Sequence, residues 1–313
     1  MDGFVTSGAA RRRTLRQAIG FAGIGLHSGR RVRGRIVPAM SGAGIAFLRT
    51  DLGILIPARH DHVVDTRLCT VIGLDGATVS TVEHVMAALA GHGVDDAIVE
   101  VDGPEMPILD GSAEPFQFLL DCAGIASRPG LARSIEVLRT VRVEQGDGPN
   151  AAWAELQPVD GPWFEAQLSI DFSAGAIGRQ EFGLRVTPQS FREELADSRT
   201  FTLAEEISRL RSMGLALGGT LDNAVVVDGP LVLNPGGLRN SSEFVRHKLL
   251  DVVGDLALAG APIAGRFVGN RTGHALNNKL LHALFADRGA WRFCPGHAVA
   301  DGVSARLPAV AAA

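Results

Sequence analysis

The sequence predicts an α+β protein built from two domains. Three observations carry that expectation. The chain has 313 residues, longer than most single domains. Each half reads as several strands and then helices, without the regular strand–helix alternation of a doubly wound sheet. A Pro- and Gly-bearing stretch, "ASRPGLARS" (126–134), separates the halves like a linker and puts a boundary near residue 130. On this reading residues 1–11 form a disordered N-terminal tail, 12–129 the first domain, 130–305 the second and 306–313 a C-terminal tail.

The elements follow in order. "RRRTLRQAIGFAGIGLHSG" has a basic start and an apolar continuation, as a secretory signal would. Gln17 and several glycines break it, however, and no small-residue cleavage site precedes His27 and Arg30, so it reads as a strand and hairpin. "RRVRGRIVPA" alternates like a half-exposed strand. Further strands are expected at 44–49, 68–73 and 97–102. "STVEHVMAALAGHG" has helical apolar spacing closed by Gly91 and Gly93, and a second helix over 115–123 ends at Gly124.

In the second half strands are expected at 135–144, 152–157 and 163–171. Thr187 can cap a helix that has Pro188 at its first position. "LAEEISRLRSMG" is a short amphipathic helix, and "NAVVVDGPLVLN" a hairpin with Asp228-Gly229 at the turn. A helix over 242–259 carries "EFVRHKLLDVVGDL"; the strand "AGRFVG" and the helix "TGHALNNKLLHALFA" follow. The tail after about residue 291 follows no pattern, which leaves Cys294 and His297 without a role.

Bulk properties exclude several functions. A net charge of −4 and the absence of tyrosine argue against nucleic-acid binding and base-stacking platforms. Three scattered cysteines with no CxxC argue against a disulfide framework or thiolate zinc site, and fit a reducing cytoplasm. No run of ~18 uninterrupted apolar residues exists to span a bilayer. Nor does any GxxxxGK[ST] or GxSxG occur. No long exposed apolar segment demands a partner, so a monomer is expected.

The polar groups of the 243–256 stretch raise the chemical question. Four residues advance a helix by roughly 400°, so His247 and Asp251 share one face, as two ligands to one metal would. An isolated HxxxD also fits a surface i,i+4 pair. His84 could be a third ligand, leaving a position open for water, with Glu83 beside it as a base. Against this, Ser80 and Glu83 fit a capping box. His274 opens a helix, where the local field disfavours its protonation. To act as an acid it needs a carboxylate, and Asp255 is available. His60 and His62 would share a face of a strand, but their polar surroundings read as a solvated loop. Val82-Glu83-His84 and Val245-Arg246-His247 echo one another at two helix starts. A true repeat would bring both histidines to the face between the domains.

Taken together, "GIGLHSG", "TRLCT", "STVEH", "PILDGSAEPF", "SRTF", "EFVRHKLLDVVGDL" and "GHALNNKLL" resemble, in order and separation, the zinc-dependent UDP-3-O-acyl-N-acetylglucosamine deacetylase family, from about residue 12 to 290. The resemblance implies a two-domain β-α-α-β sandwich with the helical layers of both domains packed together. It also implies release of acetate from UDP-3-O-(3-hydroxyacyl)-N-acetylglucosamine, the committed step of lipid A biosynthesis. His84, His247 and Asp251 then become zinc ligands, with Glu83 the base on the metal-bound water. His274 becomes the acid and Asp255 its orienting partner. Thr200 would donate to the oxyanion, Phe201 would cover the sugar, and Lys248 would meet polar groups of the substrate. Leu68 and Cys69 join the substrate site. An insert near 202–232 would wall an acyl passage, with Leu210 and Leu215 among its apolar residues. One ion per chain is implied; a His₂Asp set would also accept iron(II) or cobalt.

Two other readings stay open on sequence grounds. One is a zinc amidohydrolase acting on a different N-acyl substrate, distinguishable by turnover of the sugar with and without its acyl chain. The other is a non-catalytic nucleotide-sugar binder, which would have no use for a base and an acid together.

Overall fold

The computed structural model describes residues 10–148, 151–296 and 307. The N-terminal half contains β1 (Arg11–Leu15), β2 (Ile19–Ile24), β3 (Arg31–Pro38), β4 (Ile45–Arg49), β5 (Ile54–Pro57), β6 (Val63–Asp65), β7 (Val71–Leu74), β8 (Ala77–Val79) and β9 (Ala97–Val101). Its helices are α1 (Glu83–Gly91) and α2 (Glu114–Ala123), and β10 (Ile125–Leu131) follows them. The main sheet has the order β2-β3-β9-β4-β5, antiparallel apart from the parallel pair β4 and β9. In β3, Val32 and Ile36 are buried while Arg31, Arg33 and Arg35 face solvent, which is the period-two pattern that marked it as a strand.

The C-terminal half holds β11 (Arg133–Val137), β12 (Val141–Gln145), β13 (Ala152–Gln157), β14 (Phe164–Asp171), β15 (Arg179–Val186), β16 (Phe201–Leu203), β17 (Val225–Asp228), β18 (Leu231–Val232), β19 (Ile263–Asn270) and β20 (Trp291–Pro295). Its helices are α3 (Pro188–Glu194), α4 (Ala204–Ser212), α5 (Glu243–Ala257) and α6 (His274–Ala286). β19 is the hub of a seven-stranded sheet, pairing with β11, β13 and β14.

Helices α1, α2, α5 and α6 lie between these two sheets, while α4 packs on β16 and β17. α2 packs on β2 and on α1; α1 packs on α5; α5 packs on α6, β14 and β15; α6 packs on β12 and β13. This is the expected β-α-α-β sandwich. All of α1 except Ala90 is buried, and so is α5 apart from Arg246, Lys248 and Ala257. A helix buried all round belongs to an inner layer, so the acids and histidines on these two helices are held inside.

The two inner helices touch at a glycine. A Cβ at Gly254 of α5 would lie 2.0 Å from the carbonyl oxygen of Glu83. Gly254→Ala should therefore push α5 off α1 and cost about 1–3 kcal/mol, the usual range for overpacking. The urea midpoint measures it, and a wild-type midpoint would mean that the helices part without cost.

Several boundaries depart from the sequence expectations. The 126–134 stretch is no linker: it lies mostly in β10, antiparallel to β1, whose first residue Arg11 pairs with Leu131 and so is not tail. Residues 1–9 lie outside the described set. The expected strand at 135–144 is two strands, β11 and β12, and 68–73 begins as a bend that carries Leu68 and Cys69. Asp228 pairs with Leu231, so the hairpin turn is Gly229-Pro230. The tail after 291 begins with a strand, β20, which pairs with β11; His297 lies outside the described residues. β15 and β20 carry charged residues and gain their order from a partner strand, a signal local periodicity does not contain. Thr187 does cap α3, in a reciprocal capping box with Ser190. No helix among the described residues is long and apolar enough to cross a membrane.

Candidate functional site

The first turn of α1, the middle of α5 and the start of α6 converge at one end of the helical layers. Thr81 turns the chain from β8 into α1 with φ +59°, a rare conformation for a β-branched residue. The capping box suggested by Ser80 and Glu83 does not form: the α1 cap is Val82, with no side-chain bond. Glu83 Oε2 instead accepts from the Thr70 N–H at 3.1 Å.

His84, His247 and Asp251 form a buried cluster in which one ligand atom from each lies within 4.8 Å of the others. Asp251 Oδ1 is 3.4 Å from His247 Nε2 and 3.8 Å from His84 Nε2. Bonds of about 2.0–2.1 Å around a tetrahedral ion put ligand atoms about 3.3 Å apart, so a small contraction would suffice. The two imidazoles meet edge to face, with centroids 5.1 Å apart, so the histidines of the two echoed helix starts do come together.

The electrostatics suit a cation. Burial, reinforced by His247, pushes His84 down to about 3, and burial also lowers His247. Both are therefore neutral imidazoles, as metal ligation requires. Burial opposes the charge on Asp251, but the positive charges of Lys248 and His274 outweigh it and hold the carboxyl below its ordinary range. Lys248 Nζ donates to Asp251 Oδ2 at 2.9 Å, yet Asp251 Oδ1 is buried with no donor among the described residues. A charged oxygen in that position is costly unless something positive meets it. His247 Nδ1 lies 3.0 Å from the Ser198 carbonyl and donates to it, which leaves Nε2 with its lone pair towards the cluster. The donor set thus fits a zinc ion.

A second group lies beside the first. His274 Nδ1 is 2.9 Å from Asp255 Oδ2, and its Nε2 is 3.9 Å from Glu83 Oε1. Asp255 also accepts from Thr70 Oγ1 at 2.5 Å and Asn277 Nδ2 at 2.8 Å. Burial and the helix start both work against protonating His274, but Asp255 and Glu83 overcome them and raise it to about 9. Glu83 is itself pushed up to about 7, mainly by burial, with His274 pulling the other way.

A cavity of about 230 Å³ opens over both groups. Leu68, Cys69, Thr200, Phe201 and Lys248 line it. Phe201 stands edge-on to Phe244, 5.0 Å between centroids, which fixes its ring beside the cluster. Leu210 and Leu215 do not line it; Leu203, at the start of α4, does. Leu210 lies seven residues beyond Leu203, roughly two helical turns, and is carried away from the opening. Lys248 is already engaged by Asp251, so its ammonium sits at the His84–His247–Asp251 cluster.

Thr70, Ser198, Asn277, Leu26 and His27 also belong to the site. Each lies within or next to a motif noted in the sequence, but its role depends on distances that sequence does not carry. The His60–His62 segment is a single 3₁₀ turn, not a strand. His60 is buried against Phe285, 4.5 Å between centroids, while His62 bonds exposed Asp61, so the two diverge and make no metal pair. Cys69, Cys122 and Cys294 are free thiols.

A family model described as UDP-3-O-acyl N-acetylglycosamine deacetylase matches residues 12–286. The UDP-3-O-acyl-N-acetylglucosamine deacetylase of Anaeromyxobacter dehalogenans is 46% identical over 302 residues, covering 96% of this chain and 96% of that protein. The enzyme of that name from Acidithiobacillus ferrooxidans is 49% identical over 287 residues, 90% of this chain and 92% of the relative. That of Pasteurella multocida is 46% identical over 288 residues, with the same coverage. The match spans every element that builds the cluster, and the chain belongs to the UDP-3-O-acyl-N-acetylglucosamine deacetylase family.

Proposed function

We propose that this protein hydrolyses the acetamide of UDP-3-O-(3-hydroxyacyl)-N-acetylglucosamine to the free amine and acetate, in lipid A biosynthesis. The names of the relatives support a UDP-3-O-acyl-N-acetylglucosamine substrate. The observation that carries the chemistry is the donor-free oxygen of Asp251 facing two neutral imidazoles, next to a carboxyl–imidazole pair.

His84, His247 and Asp251 would hold the zinc ion, and iron(II) suits the same donors. When bound, zinc supplies Lewis acidity and lowers the pKa of water from 15.7 to about 7. Glu83 takes the proton of the attacking water as its oxygen adds to the acetyl carbon. Thr200, on the wall of the cavity, donates to the oxygen that gains charge. The C–N bond then breaks, and His274 gives its proton to the departing nitrogen. Asp255, fixed by Thr70 and Asn277, keeps His274 charged and aimed. Phe201 covers the sugar, and Lys248 balances the charge of Asp251 at the edge of the substrate site. The acyl chain leaves past Leu203 along the 202–232 insert.

Acetate release from the acylated nucleotide sugar tests this reading. Activity should vanish with a chelator and return at low zinc. A folded, zinc-loaded protein that releases no acetate would sink the assignment. Release from sugars lacking the acyl chain at an equal rate would favour a broader amidohydrolase.

A further inference from the structure

Glu243 opens α5, the helix that also carries His247, Lys248, Asp251 and Asp255, and its side chain is fully buried. Among the described residues, four donor groups bond its carboxylate. Oε1 accepts from Arg199 N at 3.1 Å and Nε at 2.8 Å; Oε2 accepts from Arg199 Nη2 at 3.2 Å and Arg239 N at 2.7 Å. Arg199 Nη2 also reaches the Gly237 carbonyl at 2.8 Å. An acid in a first helical turn complements the helix dipole, but that alone requires neither burial nor a fork of arginine bonds.

The clamp ties the 198–200 segment to the first turn of α5, and this segment serves the site twice. Ser198 presents the carbonyl that faces His247 Nδ1, one turn along from Glu243. Thr200, anchored by its N–H on the Gly111 carbonyl at 2.8 Å, lines the cavity with Phe201. We infer that Arg199 and Glu243 are a positioning pair for the metal centre: they hold the Ser198 carbonyl against His247 so that Nδ1 keeps its proton and Nε2 faces the metal. The inference rests on the metal-hydrolase reading above.

Chemistry distinguishes positioning from mere support. Buried ion pairs are weak stabilisers and can often be replaced by apolar residues of similar volume without loss of stability. Partners that orient a ligating histidine cannot be replaced in this way, and their loss typically costs about 10–100-fold in metal affinity or activity. Glu243→Gln keeps the volume but turns an N–H₂ group onto a ring of donors. Arg199→Met/Glu243→Leu keeps an apolar plug and removes the clamp.

The experiment uses the full chain with zinc as the probe. It measures zinc affinity by chelator competition, the His247 tautomer in metal-free protein by ¹⁵N NMR, and thermal unfolding. Wild-type protein that binds no zinc would refute the metal-centre reading itself. With wild-type binding established, Glu243→Gln should lose about 10–100-fold in zinc affinity. It should show a mixed His247 tautomer and a lowered kcat with little change in KM. The double variant leaves the Arg199 and Arg239 amides without their acceptor and so unfolds below wild type; it should lose zinc affinity as Glu243→Gln does, and it carries the test if Glu243→Gln does not fold. Wild-type zinc affinity and a single Nδ1–H tautomer in either folded variant would overturn the inference and leave the pair a structural brace.

Discussion

Glu83→Ala is expected to lower kcat for acetate release by about 10²–10⁴-fold, the span a positioned general base contributes, while zinc still binds. The carboxylate is not one of the clustered ligand atoms; it stands 3.9 Å from His274 and is anchored by the Thr70 amide. Truncation would also leave that buried amide unpaired, at about 1–3 kcal/mol, so stability and rate would fall together. Glu83→Gln separates them. Its amide oxygen can still accept from Thr70 but cannot take a proton, so the rate should fall as far with a smaller loss of stability. Near-wild-type turnover in a zinc-loaded Glu83→Gln protein would remove Glu83 from the mechanism.

His274→Ala should cost a similar factor, and the pH profile identifies the reason. With His274 raised to about 9 by Asp255 against the effect of burial, the acid is protonated at neutral pH. The rate should therefore climb through about 7 as Glu83 loses its proton and fall through about 9 as His274 does. Removing the charge in Asp255→Asn takes away the group that raises His274, so the descending limb should move to lower pH. In His274→Ala that limb should disappear from a residual rate. A limb that stays in place in Asp255→Asn would mean that another group titrates there.

Little of this electrostatic arrangement was legible in the residues one at a time. The helix-start position of His274 pointed towards a neutral ring; Asp255 was available as an opposing carboxylate, but sequence alone does not bring the two together. The opposing carboxylate comes from another helix, with Thr70 reaching it from a separate loop. Glu83 read equally well as a capping residue. The resemblance of the motifs, rather than their spacing, favoured catalysis, and the α1 start is in fact uncapped by any side chain. The acyl-passage residues fared differently. The resemblance put Leu210 and Leu215 along the acyl passage, but neither lines the cavity, whereas Leu203 of the same segment does.

What the sequence by itself determined is the part set by local backbone geometry. The 3.6-residue period puts His247 and Asp251 on one face whatever surrounds them. Thr187 and Pro188 start α3, and the alternation in "RVRGRIVP" makes a half-buried strand. Tertiary structure alone decided that His84 meets His247 and Asp251 and that Asp251 keeps one oxygen without a donor among the described residues. It also decided that His274 is charged and that the 126–134 stretch is a paired strand. The physical reason is range. Periodicity and caps act over one or two turns, whereas the site depends on two buried helices approaching at Gly254 closely enough to bring groups from opposite halves within bonding distance.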